Sequence, residues 1–368
     1  MNTIKVGMIG VGAISGIYLK NLTNMFKEIE IIGICDLIPE LAKKAQEEYK
    51  IPKIYATHKD LLADKEVDIV LNLTRPLEHY DITKEALLAG KHVYSEKPLA
   101  ATFELGLELV KLAKDKNLLL GGAPDTYLGA GIQTCRKLIE DDFIGDVIGG
   151  AAFMIGHGHE TWHPDPEFYY QKAGGPMMDM GPYYVTAFVN LLGRISGVTG
   201  VAKKAFEQRT ITSEPKFGKI IDVETPTHIT GILDFENGAT GTLITSFDVY
   251  YDQQARFEVY GTKGTLIVPD PNTFGGPIRL KRGTGDFKEM PLLFAYPENS
   301  RGLGLADMAK ALQSGRRHRA NDEQTLHVLE VLTAFEKSGE KKAYYPISSA
   351  YTRAQAMKNL PIDGILDS

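Results

Sequence analysis

Residues 4–36 constrain the fold more tightly than any other stretch, because a strand, a glycine turn and a helix follow one another without a spare residue. Ile4, Val6, Met8 and Ile9 form a short apolar run bounded by glycine, as in a strand buried on both faces. Gly10 and Gly12 come next, and Ile14, Ile17, Tyr18 and Leu22 recur at helical spacing. A second apolar run, Ile29 to Cys35, ends in Asp36. In that order the parts make a dinucleotide-binding fingerprint. Gly10 permits the tight turn and Gly12 lets the backbone approach a pyrophosphate. The first-turn amides, around Ala13 and Ile14, then point at the anion. Asp36 can accept both hydroxyls of the adenine ribose. Strict spacing would put a third glycine at Ser15, with Gly16 one place late; serine is small enough for close helix–strand packing.

A chain of 368 residues predicts about two domains. Its 43% hydrophobic and 24% charged content is that of a globular protein with a proper core. A net charge of -6 disfavours nucleic acid as a partner. The one basic cluster, Arg316-Arg317-His318-Arg319, follows Gly315 and reads as a solvated cap on a helix C-terminus. Cys35 and Cys135 lie far apart without metal-ligand spacing, so buried thiols in a reducing compartment are expected. The first strand starts too early for a signal peptide, and no apolar run reaches the length of a membrane span. The expectation is a cytoplasmic protein with no membrane partner.

Strand and helix patterns alternate through the first third. Pro39 to Tyr49 is an amphipathic helix, 67–73 a strand, Pro76 to Ala89 a helix stopped by Gly90, and His92 to Tyr94 a strand. Phe103 to Lys114 and 118–122 repeat the pair. That alternation predicts a parallel sheet with right-handed crossovers, ending near Ala123. After a joining helix over Thr126 to Asp141 the pattern becomes strand after strand: 147–155, 227–235, 239–249, 256–260 and 264–268, with Asn237-Gly238 marking a hairpin. A large, mostly antiparallel open sheet is expected over 124–368, with helices at 182–192, 303–314 and 323–336. The tail from Tyr344 is expected to lie over the surface.

Parallel sheets bind ligands at the carboxyl ends of their strands. Asn72, Thr74, Arg75 and His79 follow one such strand and Glu96-Lys97-Pro98 another. Asn72, Thr74, His79, Glu96 and Lys97 are therefore expected on the cofactor with Gly10, Gly12, Ala13, Ile14 and Asp36. Pro98 fixes the backbone beside Lys97, which either reaches the nicotinamide end or is a plain surface lysine. Asp179 and Tyr183 stand four apart, on one face if a single helix carries both; Pro182 must begin or kink it. A carboxylate beside a phenol is a workable acid/base pair, and a helix cap before core aromatics is the alternative. The stretch Gly156 to Asp165 holds three histidines and the only tryptophan, in no zinc-like spacing, so no metal is expected. Trp162 and His163 are expected to contact substrate, and Asp125 faces the same cleft.

The opening fingerprint, the run Ala89 to Pro98 and the stretch Gly174-Gly175-Pro176…Asp179…Tyr183 together resemble the Gfo/Idh/MocA oxidoreductases, the family of glucose–fructose oxidoreductase and inositol dehydrogenases. The resemblance covers essentially the whole chain. It implies an N-terminal Rossmann domain followed by an α/β domain on an open, mostly antiparallel sheet. It also implies a tightly held nicotinamide, a sugar or polyol substrate, and pairing of open sheets into a homodimer or homotetramer. Residue by residue it implies a catalytic Lys97, bonded to Pro98 through a cis peptide. It implies a substrate-orienting Asp179 and a proton-transfer group at position 183. Most of the family carries histidine there; this chain has Tyr183, as the glucose–fructose oxidoreductase branch does, which leaves the acid/base to Lys97, Tyr183 or both.

The reading is an NAD(P)-dependent oxidoreductase acting on a sugar, polyol or related carbohydrate. Its rivals are a sugar- and nucleotide-binding regulator of the same fold, and a glycosidase or lyase that uses the nicotinamide transiently. Asp36 repels a 2′-phosphate, and Leu37 and Ile38 beside it supply no cation. NAD is therefore expected over NADP by about tenfold or more, a difference of about 1.4 kcal/mol. Steady-state comparison of the two cofactors checks this; stronger NADP use overturns it.

Overall fold

In the computed structural model, which describes residues 3–250, 256–359, 363–364 and 366–367, the opening apolar run becomes β1 (Ile4–Ile9) inside a six-stranded parallel sheet. Val6 and Met8 have no solvent exposure, as the all-apolar run requires. The chain continues through α1 (Ser15–Asn24), β2 (Ile29–Cys35), α2 (Pro39–Tyr49), β3 (Lys53–Ile54) and α3 (His58–Ala63). Then come β4 (Ile69–Asn72), α4 (His79–Leu88), β5 (His92–Ser95), α5 (Phe103–Asp115) and β6 (Leu120–Gly122). The order β3-β2-β1-β4-β5-β6 reverses direction between β1 and β4. A doubly wound sheet opens its ligand crevice at that reversal. The pair β3 and α3 had no expected counterpart: β3 is only two residues long, and α3 rests on a capping box between Thr57 and Asp60.

The expected joining helix divides into a short turn over Thr126–Leu128 and α6 (Ala130–Glu140). After β7 (Val147–Ile155), α7 (Gly175–Asp179) and α8 (Gly181–Leu192) come β8 (Ile195–Lys203), β9 (Gln208–Thr210) and β10 (Ile220–Asp222). Five further strands are β11 (His228–Phe235), β12 (Thr240–Ser246), β13 (Arg256–Gly261), β14 (Gly264–Ile267) and β15 (Ile278–Arg282). They are followed by β16 (Lys288–Met290), α9 (Leu303–Ser314), α10 (Asp322–Lys341) and β17 (Tyr345–Pro346). Nine of these strands form one sheet, ordered β16-β15-β14-β13-β7-β12-β11-β8-β17. Only the β7–β12 pair is parallel among its ladders. The fold is thus α/β, a Rossmann sheet plus a large mixed sheet dominated by antiparallel pairs. Separately, β9 and β10 pair as a two-stranded ribbon.

The hairpin at Asn237-Gly238 sits between β11 and β12, with Gly238 at φ 85°. One face of the nine-stranded sheet is covered by α8, all of whose residues are buried. Phe188 on α8 packs between Phe235 and Phe257. Gly200 and Gly231 make room for Phe335 of α10: a Cβ at either would come within 2.6 or 2.7 Å of its ring. On the opposite face Val201 and Ile232 stand exposed among threonines.

The two units of the chain are not divided by a single cut after residue 123. The first comprises residues 1–130, 293–326 and 354–368, and the second residues 131–292 and 327–353. The chain's return to the first unit corrects the reading of the basic cluster. Arg319 is 3% exposed, so it is not a solvated cap. Its guanidinium bonds Asp307 at 2.5 Å and Asp367 at 2.7 Å and the carbonyls of Gln355 and Ala356. Arg316 adds a second cation to Asp307 at 2.6 Å. These contacts fasten the tail to the first unit, of which residues 360–362, 365 and 368 lie outside the described residues. Burial opposes ionisation of Asp307, but Arg319 and Arg316 outweigh it and hold its pKa below the usual carboxylate value.

Arg319→Leu leaves Asp307 and Asp367 short of their buried cation, and should cost about 3–5 kcal/mol in denaturant unfolding. Because Asp307 titrates below its unfolded value, its contribution is present above the ordinary carboxylate range and is lost as pH falls through the depressed value. The wild type should therefore lose stability toward acid more steeply than Arg319→Leu; parallel pH profiles would refute the role of the pair.

Candidate functional site

In the first unit the glycine loop is built around two different needs. Gly10 has φ 95°, and a Cβ there would come 2.6 Å from the carbonyl oxygen of Leu73. Glycine is required at that position by the protein's own backbone. Gly12 is the opposite case: a Cβ there would meet nothing within 4 Å. Its openness is the cradle that a close-approaching pyrophosphate needs. The N-terminus of α1 has no side-chain cap and no acidic residue in its first turn, while Ala13 and Ile14 lie exposed before it. These residues fit a dinucleotide. Ser15 donates to the Gly12 carbonyl at 2.7 Å and is buried, doing the close-packing work of a third glycine. Asp36 closes the loop by accepting from the Val11 amide at 2.6 Å and the Ile38 amide at 2.8 Å.

Several side chains expected on the cofactor, and Asp125 expected on the substrate, also bond within the protein. Asn72 donates to the His79 carbonyl and Thr83 hydroxyl and accepts from the amide and hydroxyl of Thr74. Its amide has no capacity left for a ligand. His79 is 1% exposed, with Nδ1 at 2.7 Å from the Pro98 carbonyl and Nε2 at 2.9 Å from that of Thr74. Burial lowers its pKa, so the ring is neutral and donates to one carbonyl at a time. Glu96 accepts the Tyr18 hydroxyl at 2.7 Å on one oxygen and the Lys97 amide at 3.0 Å on the other. Asp125 takes the amides of Gly302 and Gly304 at 2.9 and 3.0 Å, and burial raises its pKa to about 6. Each supports a loop through these bonds; the carboxylates of Glu96 and Asp125 keep further acceptor capacity.

Between those supports lies Lys97. Its own amide is held by Glu96, and the carbonyl of Pro98 after it is met by His79. The Lys97–Pro98 peptide is cis, as the resemblance implied. Lys97 thus follows β5 at the carboxyl edge of the sheet on a backbone fixed from both sides.

The second unit carries the remaining candidates. Asp179 and Tyr183 do not share one helix: α7 ends at Asp179 and α8 begins at Gly181, with Pro182 in its first turn. Asp179 is paired instead with His159, whose Nε2 lies 3.2 Å from its carboxylate. A carboxylate only accepts, so this nitrogen carries the proton. His159 itself is wedged against Tyr169 and Phe247, with ring centroids at 4.0 and 4.7 Å. Trp162, 61% exposed, lies 5.1 Å from the same imidazole. His163 accepts the Asp165 amide on Nδ1 at 3.0 Å. Burial and the neighbouring His159 hold its pKa down, so the neutral ring presents Nε2–H as a donor.

Sequence reasoning chose His163 from the histidine-rich stretch and missed His159, since nothing local says which imidazole meets Asp179. It also missed Tyr18, counted only as an apolar helix position, and Arg209. Arg209 bridges Glu160 at 2.6 Å and Asp248 at 2.5 Å behind the 157–163 loop. No signal marked it, because its partners lie 49 and 39 residues away. Among the described residues no group of three or more His, Cys, Asp or Glu side chains is placed to hold a metal. Among the described residues no helix is long and apolar enough to cross a membrane.

Residues 4–122 match the family described as "Oxidoreductase family, NAD-binding Rossmann fold" and residues 132–267 the "GFO/IDH/MocA C-terminal domain". The chain is similar to the myo-inositol 2-dehydrogenase of Thermotoga maritima, 23% identical over 342 residues, 92% of this chain and 97% of that one. It is also similar to the D-xylose dehydrogenase of Paenarthrobacter nicotinovorans, 26% identical over 62% of this chain and 60% of the relative. Levoglucosan dehydrogenase in complex with NADH and L-sorbose shares its fold, with a TM-score of 0.82 at 19% identity over 95% of this chain and all of that one.

The two glycines should separate cleanly. The Cβ of Gly12→Val has no protein atom within 4 Å, so thermal stability should hold while NADH affinity, read by fluorescence titration, falls by at least about tenfold. Gly10→Ala should lose stability before affinity can be read, because its φ and the Leu73 carbonyl both oppose a side chain. Unchanged NADH binding by Gly12→Val would remove this loop from the cofactor site.

Proposed function

This chain belongs to the Gfo/Idh/MocA family of oxidoreductases, with an NAD-binding Rossmann domain, and from that premise we propose that it transfers hydride between a nicotinamide and a hydroxyl-bearing carbon of a sugar or polyol. The observation that carries the reading is Lys97, held at the carboxyl edge of the parallel sheet by the paired supports Glu96–Tyr18 and Pro98–His79. Such rigidity serves a group that must meet a reacting atom, since positioning supplies much of a catalyst's acceleration. The inositol and xylose dehydrogenases among its relatives support a polyhydroxylated substrate.

A bound nicotinamide supplies the hydride chemistry itself. In the oxidation direction Lys97 and Tyr183 draw the proton from the reacting hydroxyl. Asp179 accepts a neighbouring hydroxyl, and His159 donates to its Oδ2 so that the carboxylate stays aimed. His163 offers its Nε2–H to a further substrate oxygen, and the exposed indole of Trp162 offers an apolar face to the ring. NAD is the preferred cofactor, because Asp36 closes the ribose end of the loop with a negative charge.

A panel of sugars and polyols with NAD and NADP, followed at the reduced-nicotinamide absorbance, tests the reading. A regulator gives no absorbance change with any of them, and an enzyme that recycles the nicotinamide gives product without net reduction. With a substrate in hand, Lys97→Ala should lower turnover by about 10²–10⁴ and Tyr183→Phe by about a hundredfold, both with cofactor affinity retained. Near-normal turnover in Lys97→Ala would remove it from the mechanism. A silent Tyr183→Phe beside a dead Lys97→Ala would assign the proton to lysine alone.

A further inference from the structure

Behind the 157–163 loop the second unit contains a cavity of about 350 Å³ that the reading above does not use. Small-molecule sites run from about 300 to 1,000 Å³, so this one suits a single ring rather than a chain of them. Its lining includes Phe206 and Tyr250, together with Thr161, Gln208 and Thr210. His157 stacks on Tyr250 at 3.6 Å and meets Phe206 edge-on at 6.2 Å. The cavity therefore combines flat aromatic faces with neutral hydroxyl and amide groups.

Its charged members face one another. Arg209, itself 6% exposed, is neutralised by Glu160 and Asp248, two carboxylates against one guanidinium. That balance repels an anion and leaves no free cation for a phosphate or carboxylate ligand. The neutral hydroxyls of Thr161 and Thr210 and the amide of Gln208 are what the lining offers a ligand, and they match uncharged donors and acceptors. Neutral oxygens with an apolar underside are what a sugar ring presents.

The cavity and Asp179 are served by adjacent residues of one loop. His159 turns its imidazole to Asp179, while Glu160 turns its carboxylate to Arg209 at the cavity. We infer that this cavity binds a second neutral sugar ring, the distal ring of a substrate whose reacting ring is held at Asp179. The reacting-ring half of that statement rests on the function proposed above; the cavity's own occupancy does not. The preferred substrate is then a neutral disaccharide or glycoside, and phosphorylated sugars are excluded.

Phe206 and Tyr250 are both exposed side chains, so alanine at either leaves the core intact. Glucose, galactose, xylose, maltose, cellobiose, lactose, trehalose and glucose 6-phosphate are titrated calorimetrically into the full chain and assayed for turnover. The wild type should bind at least one disaccharide more tightly than its component monosaccharide. Phe206→Ala and Tyr250→Ala should raise the Kd and KM of that disaccharide about three- to tenfold, the span of one aromatic contact. Its kcat and the KM of the monosaccharide should not move, and glucose 6-phosphate should not compete. If no disaccharide gains over its monosaccharide, if both variants are silent, or if glucose 6-phosphate competes, the inference is overturned. The two readings fail separately. Disaccharide binding that weakens in the variants without any nicotinamide reduction sinks the hydride-transfer reading and keeps the cavity assignment. Sugar turnover with silent variants does the reverse.

Discussion

The side chain of Glu96 leaves water at the end of β5, and a buried carboxylate is stable only where donors replace the solvent it has lost. Tyr18 and the Lys97 amide are those donors. The requirement is electrostatic, but its consequence is geometric: meeting it ties helix α1 to the loop that carries Lys97. His79 fastens the other side of that loop through the Pro98 carbonyl. The backbone on either side of Lys97 is thereby fixed.

The same requirement recurs wherever this chain buries an acid. Asp125 is met by the amides of Gly302 and Gly304, which draws the 293–326 segment onto the first unit. Asp307 is met by Arg316 and Arg319, and Arg319 in turn holds Asp367 near the chain's end. In the second unit Glu160 is met by Arg209 and by the Tyr170 hydroxyl, fixing the loop from which His159 reaches Asp179. Replacing such pairs by apolar residues need not cost stability, whereas losing one partner does. Their value here lies in register, since each specifies where a returning segment must sit.

Glycine marks the complementary constraint, where space rather than charge decides. Gly200 and Gly231 yield to Phe335 inside the second unit, and Gly10 yields to the Leu73 carbonyl inside the first. Gly12 yields to nothing in the protein. Open space over a glycine that sits between β1 and the uncapped N-terminus of α1 reads as room kept for a ligand, which distinguishes two residues that look equivalent in the sequence.

The sequence by itself determined the Rossmann half from β1 to β6, apart from β3 and α3, because its signals are local: strand, turn and helix periodicities settle within about thirty residues. It determined the hairpin at Asn237-Gly238, the helices at 182–192 and 303–314, and the family to which the motifs belong, and with it the candidates Lys97, Asp179 and Tyr183. Only the tertiary structure decided which polar residues turn inward. Asn72, His79, Glu96 and Asp125 carried the right chemistry at the right strand ends, yet their side chains also bond neighbours 1 to 179 residues away. It decided also that Arg319 is buried, that His159 rather than His163 meets Asp179, and that Arg209 lies beside Glu160. Hydrophobic periodicity records which face of an element is buried. The partner of a buried charge is fixed by long-range packing, which leaves no period in the sequence to read.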